Sequence, residues 1–134
     1  MFLSFLYMYS SWAMLALRLA LAAIFFVHGS PKLKNAAAMA GGMGMSAGMV
    51  TLVGLAETIG ALSMLLGLFT QLGALALVIV MIGATYFKTQ KWHVPFSEMG
   101  KMGWEFDLIL LCAALIPLTM GAGMVSVDWM LGMY

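Results

Sequence analysis

The chain has 134 residues, 64% of them hydrophobic and 8% charged, with a formal charge of +1 and a mean hydropathy of +1.06. A soluble domain of this size could not hide so much apolar surface, so the composition reads as an integral membrane protein whose first partner is the lipid bilayer. Near-neutral charge without a basic patch argues against nucleic acid as a partner, and a single cysteine, Cys112, leaves no disulfide framework, no C-x-x-C redox pair and no thiolate metal cage.

The first ten residues are apolar and aromatic, with Phe2, Phe5, Tyr7 and Tyr9 ahead of Trp12. Such rings favour headgroup depth, and the absence of a basic leading segment argues against a cleavable signal. The first span is predicted over residues 10–28. From Trp12 to Val27 only Arg18 is charged, and roughly 20 apolar residues at ~1.5 Å each cross a ~30 Å hydrocarbon core. His28-Gly29-Ser30-Pro31 predicts the stop, with Lys32 and Lys34 at the headgroup boundary. Residues 35–48 form a tract of Ala, Gly and Met whose early part suits a short interfacial helix, broken by Gly41, Gly42 and Gly44. Met39, Met43, Met45 and Met49 crowd this tract. Thioethers bind Cu(I), but adaptable apolar filler is the simpler reading, and no metal site is assigned.

A second span over 47–68 carries one charge, Glu57, and a third over 71–88 carries none before Lys88, with Thr70 as its expected N-cap. Lys88 to Lys101 is a polar loop with Trp92, His93 and Pro95, expected to be the most solvent-exposed segment. A fourth span over 103–120 opens with Trp104, Glu105 and Asp107 and contains Pro117, which should kink or fray its last turn. Ser126 to Tyr134 suits a short interfacial helix capped by Ser126 or Asp128. The fold class that follows is all-α: a single domain, residues 1–134, built as an integral membrane antiparallel four-helix bundle with short interfacial helices. Lys32, Lys34, Lys88, Lys91 and Lys101 all fall in the first and third connections. The positive-inside rule then predicts a multi-pass protein of the cytoplasmic (inner) membrane with both termini on the non-cytoplasmic side.

Two polar groupings stand out. Arg18 and Glu57 each sit about ten residues from the cytoplasmic ends of the first two spans, or ~15 Å deep. Neighbouring antiparallel helices then predict an intramembrane Arg18–Glu57 pair, because an unpaired charge in lipid is costly. Ala56, Gly60, Ser63 and Gly67, spaced three or four residues apart, predict close helix packing around Glu57. His28, Lys32, Trp104, Glu105 and Asp107 collect at the cytoplasmic mouth, either as ordinary caps and anchors or as the way in for a proton or ligand.

R-L-A-L-A-A-I-F-F-V-H-G-S-P-K-L, G-L-A-E-T-I-G-A-L-S-M-L-L-G-L-F-T-Q-L-G-A-L, G-W-E-F-D-L-I-L-L and V-S-V-D, in that order, resemble the DoxX family of small four-helix membrane proteins. By that resemblance Arg18, His28, Gly29, Pro31, Lys32, Glu57, Gly60, Gly67, Trp104 and Glu105 match family positions. Ser30 departs from it where an aromatic is frequent, and Gln71 where a basic residue is frequent. The resemblance implies kinship with DoxD, a subunit of a thiosulfate:quinone oxidoreductase, and with MauE-type redox proteins. Two functions follow as expectations. One is an accessory subunit of a redox-type membrane complex, not catalytic alone, packed on other membrane subunits or on itself. The other is a quinone-binding redox component. Neither gives the chain a cofactor of its own; a quinone or bound lipid is the candidate ligand.

Overall fold

The computed structural model describes residues 2–133, so Met1 and Tyr134, the ends of the expected domain, lie outside it. Among the described residues the regular structure is helical, and no β-strand forms. A 3-10 turn, Ser4–Tyr9, leads into α1, Ser10–Lys34; α2, Ala36–Met43, and α3, Ala47–Leu66, follow. Next come α4, Thr70–Tyr86, continued by a π-helical turn Phe87–Lys91, then α5, Trp104–Met120, and the short α6, Val127–Met130. α1 packs on α3, α3 on α4, α4 on α5, and α5 returns to α1. Leu21, Phe25, Ala61, Met64, Leu77 and Ala114 fill the space between them.

Among the described residues, three segments are long and apolar enough to cross a membrane: Ser4–Lys34, Ala47–Leu66 and Thr70–Lys91. α5 has 17 residues, about 25 Å of helix, shorter than a full crossing. The outer faces carry exposed Leu52, Ile59, Ile79, Ile82 and Ile109. In water such a surface would aggregate; against acyl chains it is the expected one.

Several boundaries differ from expectation. α1 does not stop at His28. It runs through Gly29-Ser30-Pro31 to Lys34. Pro31 forfeits one backbone donor, the bond to Val27, and the next turn closes normally, with Asn35 N–H donating to Pro31 O at 2.9 Å. The third span does not end at Lys88 but continues through the π-helical turn, in which Lys88 is only 19% exposed. Thr70 does not cap α4. Phe69 holds the cap position at φ 49°, and Thr70 is the buried first residue of the helix. Pro117 lies within α5, which reaches Met120. Ser126 caps α6 by accepting from Trp129 N–H, as expected, while Asp128 does other work.

Candidate functional site

Arg18 and Glu57 are both buried, at 1% and 2% exposure, yet they do not pair. Because α1 continues to Lys34, Arg18 lies about 24 Å from that end, not ~15 Å. Its level on α3 is Gly67, whereas the level of Glu57 on α1 is Gly29. Each charge therefore finds a different partner.

At the Arg18 end, the guanidinium grips backbone. Nη1 donates to Ala122 O at 2.7 Å and Nη2 to Val125 O at 3.1 Å. Asp128 accepts from the backbone N–H of Phe69 at 2.7 Å and of Thr70 at 2.9 Å, so it caps α4 from across the fold. Its own N–H donates to Gly67 O at 2.8 Å. Gly67 ends α3 at φ 62°, and a side chain there would collide with Arg18 and Ser126. Arg18 thus fastens the segment after α5 to α1, and Asp128 fastens it to the turn between α3 and α4.

At the other end, charges bond charges. Lys32 Nζ donates to Glu57 Oε1 at 2.6 Å and Oε2 at 2.5 Å. A Cβ on Gly29 would strike Thr58 and Glu57, and one on Gly54 would strike Lys32 and Gly29 O. The two glycines let α1 and α3 approach closely, which brings the ammonium to the carboxylate. Lys88 Nζ lies 2.7 Å from Asp107 Oδ2, with the side chains 19% and 7% exposed. His28 Nδ1–H donates to Ile24 O at 2.8 Å, which leaves Nε2 of the neutral ring as an acceptor, and the ring stands 6.0 Å from that of Phe106.

These groups border a cavity of about 720 Å³. Lys32, Glu57, His28, Lys88 and Asp107 supply its polar contacts; Phe25, Phe87, Trp92 and Phe106 supply aromatic wall. Met39, Met43, Met45, Met49, Met81 and Met102 supply much of the rest. The expected mouth cluster divides. His28, Lys32 and Asp107 reach the cavity, but Trp104 and Glu105 do not line it. Trp104 stacks edge-on against Phe96 at 4.6 Å, and Glu105 accepts from Ser97 Oγ at 2.9 Å. The expected tight packing around Glu57 holds on one side only. Gly60 and Ser63 meet α4 at Leu77 and Gly73, whereas Ala56 borders the cavity.

Sequence reasoning missed Lys88, assigned to an exposed loop, and missed the methionine tract as cavity wall. The pairing of Lys88 with Asp107 lay hidden because the π-helical turn that swings it inward has no local signature. Chemically, the site offers two ammonium donors, each held by a carboxylate, and one imidazole acceptor, beside a wide apolar chamber. Its charges cancel. It suits a neutral head with carbonyl or hydroxyl oxygens joined to an apolar body.

A model of the DoxX family matches residues 13–90, more than half of the chain and the whole of α1 from its fourth residue through α4. No curated protein and no solved structure matches.

Proposed function

The chain belongs to the DoxX family, and from that premise we propose that it is a membrane protein that binds a quinone or related lipid-soluble carrier, as a component of a redox-type membrane complex. The observation that carries the reading is the chamber itself. About 720 Å³ falls within the range of small-molecule sites, ~300–1,000 Å³. Its wall is apolar, and its few polar groups converge from four elements: α1, α3, the π-helical turn and α5. A charge-balanced set of donors favours a neutral carbonyl head over an anionic one, because an anion would need a cation not already matched. Methionine walls adapt to flexible hydrocarbon, which suits a tail of variable length.

In this reading Lys32 and Lys88 donate hydrogen bonds to the head and Glu57 and Asp107 hold them in place. α5 acts as a fourth crossing, and the lysine-rich end faces the cytoplasm. The test is purification in mild detergent followed by solvent extraction and identification of co-purifying subunits. The expected result is a quinone retained in near-stoichiometric amount together with redox subunits. Retention of subunits without any lipid-soluble carrier would favour the purely accessory role. A reporter fused at the last residue, active only outside the cytoplasm, is expected from the orientation; activity only inside would reverse it.

A further inference from the structure

The chamber has an identifiable mouth. α3 and α4 touch at the end away from Lys32: a Cβ on Gly60 would run into Leu77, and one on Gly73 into Ser63. Towards Lys32 the same two helices part. Leu52 and Ala56 of α3 and Ala76, Ile79 and Gly83 of α4 line the cavity. Leu52 and Ile79 are also 60% and 61% exposed, so there the cavity wall is the outer surface of the molecule. A Cβ added at Gly83 would meet nothing within 4 Å. A helical position that borders the cavity and where an added Cβ would meet nothing marks a gap in the wall. Both helices belong to segments long and apolar enough to cross a membrane, so the gap faces acyl chains and not water.

Resting on the carrier-binding reading above, we infer that the chamber opens sideways into the bilayer through the seam between α3 and α4. A single-tailed carrier enters head first by this seam, and its tail remains in the opening beside Gly83, Ala76 and Ala56. The energetics favour this route. A tail delivered through water would first leave the bilayer, at a cost that grows with each methylene, whereas through the seam it never does. Three of the methionines, Met39, Met43 and Met45, wall off the side of α2. Gly83 is thereby a specificity-determining residue for the tail and not for the head.

The test compares two probes on the full chain in lipid nanodiscs: a benzoquinone with a decyl tail, and the same ring without a tail. Quenching of tryptophan fluorescence reports binding, since Trp92 stands in the cavity wall, and Trp92→Phe identifies its share of the signal. In Gly83→Leu the affinity for the decyl probe should fall about tenfold or more, while that for the bare ring stays within about threefold. Ile82→Phe, on the same helix but outside the cavity lining, should leave both unchanged. Should Gly83→Leu fail to fold, Ala76→Leu narrows the same seam and carries the same expectation. Equal loss of both probes, or no loss of either, would overturn the lateral route. If that happens while a folded Lys32→Met/Glu57→Leu variant loses affinity for both, the carrier reading stands and only the route is wrong. If the unaltered protein binds neither probe, both fall together.

Discussion

The two ends of the helix assembly use the same kinds of residue for opposite purposes. At one end Arg18 and Asp128 spend their hydrogen bonds on backbone, binding Ala122, Val125, Phe69 and Thr70, and Gly67 closes on the guanidinium. At the other, Lys32 and Lys88 bond to Glu57 and Asp107, side chain to side chain, along the edge of a 720 Å³ chamber. Backbone cannot be exchanged for a ligand, so the first arrangement is a fastening. A side-chain pair on a cavity wall can share its donors with a guest, which is what the proposed site requires. Burial alone does not separate the two, since Arg18 and Glu57 are almost equally enclosed.

The largest effect on stability should come from breaking the better-enclosed pair at the chamber. Lys32→Met leaves Glu57 without its cation and should cost roughly 3–5 kcal/mol, seen as a lowered unfolding temperature in detergent. Adding Glu57→Leu should return most of that loss, because no uncompensated charge remains. At the opposite end, Asp128→Ala removes two charge-assisted bonds and the cap of α4. A smaller loss of roughly 1–2 kcal/mol in all, the cost of a lost helix cap, is expected, with affinity for a quinone probe unchanged in whatever fraction folds. A drop in affinity out of proportion to the folded fraction would mean that the two ends are not independent.

These contrasts also show what the sequence could tell. The membrane class, the second and third spans and the buried status of Arg18 and Glu57 were legible, because runs of apolar residues with isolated charges leave few alternatives. The pairing was not legible. Placing the end of α1 at His28 treated Gly29, Ser30 and Pro31 as a stop, yet a proline this near the C-terminus of a helix removes only one bond, and α1 runs on. That shift of about two turns moved Arg18 out of reach of Glu57 and brought Lys32 within it. The capping of α4 by Asp128 joins residues 58 apart in sequence, and no local pattern announces such a contact. The V-S-V-D segment carried the family resemblance without disclosing what its aspartate binds. The chamber was invisible for a further reason: small residues at helical spacing read as close packing, and Ala56 lies on the same stripe as Gly60, one turn beyond the point where the helices part.

Smaller effects should follow at the periphery of the chamber. Lys88→Gln disturbs a pair less enclosed than Lys32–Glu57 and should cost roughly 1–3 kcal/mol, between the values for exposed and buried pairs. It should also weaken binding of a tail-less quinone, because one of two donors to the head is lost; an unchanged isotherm would remove Lys88 from the site. Gly83→Ala should be the mildest change. Its new methyl meets nothing, and alanine is favoured over glycine within a helix by up to about 1 kcal/mol. A slightly raised unfolding temperature is expected; a lowered one would show that the seam is closed in the membrane.

The measurement that bears most directly on the division between fastening and site is the quinone-binding isotherm of Lys32→Met/Glu57→Leu. With no unpaired charge left behind, this variant should fold with nearly the stability of the unaltered chain and should bind the decyl benzoquinone at least about tenfold more weakly. A folded double variant that binds the probe with unaltered affinity would make Lys32 and Glu57 a fastening like Arg18 and Asp128, and the chamber would lose its claim to be the site.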